Sequence, residues 1–115
     1  MKAFFCMAIL AIAVIIFSNC GSTKKATSDV PKLTYESNMQ TLIAANCTPC
    51  HIPAKGGNKE AFDNYANVKS HIDEMIRRIQ LNPGDKGFMP FKRAKLSDSI
   101  VAVFKQWRAD GVLEK

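Results

Sequence analysis

Histidine is scarce in this chain: His51 and His71 are the only two among 115 residues. A structural zinc site takes four ligands, usually Cys or His in two short-spaced pairs. One cluster exists, at Cys47, Cys50 and His51; His71 has no second ligand near it in motif spacing. Long apolar runs are scarce as well. The one at residues 3–17 has 15 residues, short of the ~20 that a membrane-spanning helix needs. Alternating or β-branched runs are missing, so the βαβ setting of a thioredoxin-like C-x-x-C pair finds no support. Acidic residues are outnumbered, 10 against 16 basic, for a net charge of +6. The basic residues are scattered and lack interleaved stacking aromatics, so this charge does not argue for nucleic acid. There is no internal repeat.

What the chain does have is Cys47-Thr48-Pro49-Cys50-His51, a C-x-x-C-H pentapeptide of the kind that attaches c-type haem. The spacing follows from the chemistry. Two thiols on one helical turn reach the two vinyl groups on one edge of a porphyrin and form thioethers. The imidazole that follows directly falls over the ring centre, as axial ligand to the iron. The competing readings are a zinc half-site and a dithiol redox pair. A structural disulfide between Cys47 and Cys50 would close a tiny loop and constrain the unfolded chain little.

The other two cysteines, Cys6 and Cys20, lie at the N-terminus. Lys2 followed by the apolar run matches a signal peptide; the alternative is a short transmembrane anchor. The run leads into Phe17-Ser18-Asn19-Cys20-Gly21, which resembles a bacterial lipobox. That resemblance implies that Cys20 is lipidated and begins the mature protein. Phe17 and Asn19 depart from its commonest pattern. The expected organisation is a lipoprotein signal peptide at 1–19, a lipidated tether at 20–33 and one folded domain at 34–115. Residues 21–32 are polar and small, a coil spanning roughly 20 Å. Lys24, Lys25 and Lys32 could lie on anionic headgroups, although a solvated tether is the simpler reading. The folded part has 12 Lys and Arg against 9 Asp and Glu, a net charge of +3. A domain this small needs a staple, which covalent haem would supply.

Hydrophobic spacing predicts an all-α domain. Ser37 to Gln40 reads as a capping box, ahead of a stripe of Met39, Leu42 and Ile43 that runs into Cys47. Asp63 is placed to cap a short helix through Tyr65 and Val68. Ser70 is placed to cap another, carrying Ile72, Met75, Ile76 and Ile79 on one face. Ser97 caps the last, with Ile100, Val103, Phe104 and Trp107, and Gly111 is its stop. Gly56 and Gly57 mark a loop after the pentapeptide. Met39, Met75 and Trp107 read as core, with the first helix or a haem edge as the neighbour of Trp107. Tyr65, and one of Arg77 and Arg78, could reach a haem propionate; packing and a solvated face are the plain alternatives.

From Asn82 to Leu96 no period is visible. Such long loops are usually functional or disordered, and Phe88 and Phe91 argue against disorder. Proline disfavours the α region for the residue before it, so Met89, ahead of Pro90, is expected to be extended. An extended loop can turn the thioether inward.

Taken together, the first helix ending in Cys47-Thr48-Pro49-Cys50-His51, the Tyr65-Ala66-Asn67-Val68 element and Met89-Pro90 resemble small monohaem c-type cytochromes, class I-like and of the exported bacterial lipoprotein type. Lys95-Leu96-Ser97-Asp98 and Trp107-Arg108-Ala109-Asp110-Gly111 extend the resemblance over nearly all of the domain. It implies a few helices wrapped on one covalent haem, with the terminal helices crossing. It further implies thioethers at Cys47 and Cys50, His51 as proximal ligand and Met89 as distal ligand. One departure stands out. No downstream Gly-Pro pair supplies the carbonyl that orients the proximal imidazole, and Pro53 is near enough in sequence to be considered. The rival distal ligand is His71, read as a half-exposed residue just after the Ser70 cap.

The function expected is single-electron transfer by a His/Met-ligated haem. Both axial positions are then filled, which argues against catalysis and raises the potential relative to bis-His ligation. A haem enzyme, or a gas- or peroxide-binding protein with displaceable Met89, is one alternative; a non-haem zinc or dithiol protein is the other. Redox proteins are the expected partners, with a lipid anchor at the membrane on the periplasmic side of a bacterial envelope. The expected state is a monomer that binds no nucleic acid.

Overall fold

Among the described residues, the first helical turn begins directly after Thr34. The computed structural model describes residues 30–115; the signal peptide, Cys20 and most of the tether expected above lie outside them. Thr34 is extended, and its backbone pairs in a single parallel bridge with Leu113. Tyr35 N donates to Leu113 O at 2.8 Å and Glu36 N to Glu114 O at 3.1 Å. As the chain leaves this pairing, Thr34 Oγ1 accepts from Ser37 N at 3.3 Å, and Thr34 N donates back to Asn38 Oδ1 at 3.0 Å. The cap is therefore Thr34 with Asn38, not the expected box of Ser37 with Gln40. Its reach is four residues rather than three because the first turn, Tyr35–Met39, is π-helical and wide. It leads directly into α1, Gln40–Cys47.

A 3₁₀ turn, Pro53–Lys55, follows the pentapeptide. Next comes α2, Tyr65–Gln80, whose N-cap is Asn64; its Oδ1 accepts from Asn67 N at 2.9 Å. The two helices expected here, capped by Asp63 and Ser70, are one. Val68 begins the same buried face that Ile72, Met75, Ile76 and Ile79 continue, so nothing in the burial pattern calls for a break. Ser70 Oγ bonds to Asn67 O at 2.9 Å, one turn back, instead of capping a new helix. The last helix, α3, is Asp98–Ala109. Ser97 caps it as expected, accepting from Ile100 N at 3.4 Å. It stops before Gly111, whose amide closes onto Arg108 O at 3.2 Å.

The described residues are thus helical, without a named strand, as an all-α chain should be. Their core draws Met39 and Ile43 from the first helical segment, the apolar face of α2, and Val101, Phe104 and Trp107 from α3. The α3 face is rotated slightly from expectation: Val101 is buried, while Ile100 and Val103 are half-buried. Met39 and Met75 are core, as read. Trp107 is fully buried, donates Nε1–H to Leu113 O at 2.9 Å, and lies 6.3 Å from the Tyr35 ring at the start of the first segment.

Tyr35 carries the one buried side-chain polar atom that finds no partner among the described residues, its hydroxyl. Burial, and secondarily the charge of Asp63, push its ionisation above the usual tyrosine value. An unsatisfied buried hydroxyl costs free energy that a phenyl ring does not. Tyr35→Phe is therefore expected to raise stability by about 1 kcal/mol, seen as a higher denaturant midpoint at unchanged slope.

Candidate functional site

The pentapeptide sits where α1 ends. Thr48, the C-cap, is extended, and its hydroxyl donates to Ala44 O at 2.6 Å. His51 N then closes onto Cys47 O at 3.1 Å, so the turn is wound tightly. The segment after it folds back and uses the turn's own carbonyls. Ile52 N donates to Pro49 O at 3.0 Å, Lys59 N to Cys50 O at 3.0 Å and Phe62 N to His51 O at 2.8 Å. Gly57 is the point of closest approach. A Cβ there would stand 2.4 Å from Pro49 O, 2.7 Å from Cys50 O and 2.8 Å from Ile52 N, all of them backbone atoms. The loop expected at Gly56 and Gly57 is present, and its work is to cradle the pentapeptide's main chain.

Cys47 and Cys50 are free thiols, the first half-buried at the edge of the core and the second exposed. Burial pushes the Cys47 thiol up to about 11, with the positive charge of Arg93 partly opposing it. It is therefore protonated at neutral pH and lacks the depressed ionisation of a reactive redox cysteine. His51 is held on two sides. Its Nδ1 lies 2.7 Å from Glu60 O. A carbonyl can only accept, so Nδ1 bears a proton, and in the neutral ring the lone pair is then on Nε2. The imidazole also stacks on Phe62, at 4.4 Å between centroids and 8° between planes. The orienting carbonyl is thus that of Glu60 and not that of Pro53, which accepts from Gly56 N at 2.9 Å instead. Nothing in the residue types could have singled out Glu60, because the contact is made by main chain brought back by the loop.

Met89 lies in the segment between α2 and α3. Asp85 organises its start: Asp85 Oδ2 accepts from Asn82 N at 2.8 Å, and Asp85 N donates to Asn82 O at 3.0 Å. Phe88 is buried, Phe91 is 65% exposed, and Met89 is half-buried against the core margin, as are Cys47 and Ile52. Met89 N donates to Arg78 O at 3.3 Å, near the end of α2. A cleft of about 540 Å³ opens beside the segment, lined by Met89 together with Lys86, Phe88, Phe91 and Arg93. Neither cysteine nor His51 lines it. The link between the two halves is Arg93, whose Nη1 donates to Asn46 O at 3.2 Å and Thr48 O at 3.3 Å. Sequence reasoning missed this residue, since a lone arginine in a loop carries no distinguishing signal.

His71 falls elsewhere. It is inside α2 rather than at a helix start, with Nδ1 2.8 Å from Asn67 O. Its ring is 5.7 Å from Phe62, the same ring that supports His51. The fold therefore groups His71 with His51 and not with the Met89 segment. Tyr65 donates to Val112 O at 2.9 Å, which makes it a tie to the C-terminus. Arg77 and Arg78 both bind Glu74 at 2.7 Å, and these hydrogen bonds hold its carboxyl down to about 2, Arg77 contributing most.

The donor set fits a covalently attached haem: two free thiols and an imidazole with Nδ1 engaged and Nε2 unengaged by any hydrogen bond among the described residues. No group of three or more His, Cys, Asp or Glu among those residues could hold a metal ion, and no helix there is long and apolar enough to cross a membrane. No protein-family model, curated protein or solved structure matches the chain.

Proposed function

We propose that this chain is a c-type cytochrome that carries single electrons. One haem would be joined to Cys47 and Cys50, with His51 and Met89 as the axial ligands. The observation that carries the reading is the hydrogen bond of His51 Nδ1 to Glu60 O within the C-x-x-C-H turn. It selects the tautomer a metal-ligating imidazole needs and fixes the ring's rotation, as a second-shell partner does. When bound, the haem supplies a one-electron iron couple, whose potential a His/Met pair raises.

The chain's own residues do the rest. Phe62 backs the His51 ring and keeps it from tilting. The folded-back loop at Gly57 shields one side of the turn. The thioether of Met89, at the edge of the same core as Cys47, is the available soft ligand on the α2–α3 segment. His71 is a poorer candidate for the distal position, because its ring abuts Phe62, the ring that also backs His51. Export, a lipid anchor at Cys20 and redox partner proteins belong to the same proposal. A dithiol oxidoreductase is disfavoured by the half-buried Cys47, whose thiol burial pushes up to about 11.

Spectra of the oxidised protein test the ligand pair. The wild type is expected to show the weak far-red band of thioether-ligated ferric haem. Met89→Ala should abolish it and tighten binding of added imidazole by about 100-fold, if the methionine-off state is ~1% populated in the wild type. His71→Ala should change neither. The reverse pattern would transfer the distal position to His71.

A further inference from the structure

Arg93 is exposed, and no carboxylate among the described residues lies within ion-pair distance of it. By default it would be a solvated cation. Its guanidinium instead turns back onto two carbonyls 47 and 45 residues away, those of Asn46 and Thr48. These flank Cys47 at the end of α1, where carbonyls have no intrahelical donor. A cation there also complements the helix dipole. This is the one hydrogen-bonded tie from the α2–α3 segment to the pentapeptide among the described residues.

The same segment is tied at its other end to α2, through Met89 N and Arg78 O. Between the two ties the chain makes a tight turn, closed by Arg93 N donating to Pro90 O at 3.2 Å. Met89 is thus bracketed by the C-terminal ends of two helices, four residues from the guanidinium. Slack at Arg93 is passed through this short turn to Met89.

We propose that Arg93 is a positioning residue: it fastens the Met89 segment to the peptide groups around Cys47 and so holds the thioether in register with His51. The role rests on the haem reading for its ligand consequence, but the fastening itself is a property of the chain. Arg93 touches no reacting atom, and its effect is on how often Met89 leaves its place.

Two measurements on the full chain separate these levels. In the oxidised holoprotein, Arg93→Ala is expected to tighten imidazole binding about tenfold, by raising the fraction of molecules with the site open. Lys92→Ala, which removes the neighbouring positive charge, should leave the affinity at the wild-type value. By amide hydrogen exchange, Met89 N–H should exchange about tenfold faster in Arg93→Ala and unchanged in Lys92→Ala. Equal imidazole affinities in the two variants, or an unaltered Met89 exchange rate in Arg93→Ala, would overturn the assignment. A chain that proves to carry no haem defeats the functional reading, and the exchange comparison still decides the fastening.

Discussion

Replacing Cys47 and Cys50 together by serine is expected to remove covalent haem completely. The wild-type domain, expressed with export, should carry one haem in its intact mass and keep it through acid-acetone extraction. The double variant should show the bare polypeptide mass after the same treatment. The effect is all-or-none because no other thiol stands in the domain from Thr34 onward. It is also specific, since serine keeps the size and hydrogen-bonding capacity of the exposed Cys50 position while removing the sulfur. Haem that extracts from the wild type, or stays bound covalently in the double variant, would end the proposal. The His51–Glu60 contact would then need another explanation.

Gly57→Ala is expected to have the largest effect of any single methyl addition in this fold. The new Cβ would meet three backbone atoms at 2.4–2.8 Å. A side chain could rotate away, but these belong to the wound turn at Pro49, Cys50 and Ile52. Relief requires moving the turn off the loop, which also strains Lys59 N to Cys50 O and Phe62 N to His51 O. Overpacking of this kind costs about 3 kcal/mol. In a domain of this size that lowers Tm by roughly 12–24 °C. Gly56→Ala is the control. Gly56 has φ +85° but open space around its Cβ position, so alanine there should cost only about 1 kcal/mol of backbone strain. Similar melting temperatures for the two variants would show that the return loop is not packed on the pentapeptide as described.

The two variants probe different parts of one device. The cysteines are chemistry carried by residue type, whereas Gly57 is shape carried by the absence of a side chain. A third part, the carbonyl of Glu60, is carried by neither. Any residue but one with disfavoured backbone geometry could stand at position 60, because only its main chain meets His51. This is why sequence proximity points to Pro53, whereas the orienting group lies nine residues after His51.

Local rules accounted for much of the helical layout. The α2 face of Val68, Ile72, Met75, Ile76 and Ile79 is readable from spacing, as are the Ser97 cap and the burial of Trp107, because a helix repeats its geometry every few residues. The same rules misplaced the starts at Ser37 and Ser70, and that at Asp63 by one residue, Asn64 being the cap. Ser37 and Ser70 each have the chemistry of a cap, but capping depends on where the backbone stops being extended. At the first helix that point is set by the pairing of Thr34 with Leu113, 79 residues away. At Ser70 the burial of a continuous apolar face carried the helix through.

By itself, then, the sequence determined which side chains are available: two thiols and an imidazole in fixed order, a methionine before a proline, and apolar residues at helical spacing. Those are properties of neighbours along the chain. Tertiary structure alone decided that Glu60 meets His51, that Phe62 stacks on it, that His71 shares that ring, and that Arg93 reaches across to Asn46 and Thr48. Each of these contacts joins segments through loop closure. Their geometry depends on how the helices pack and on main-chain atoms common to every residue, and neither leaves a mark in residue type.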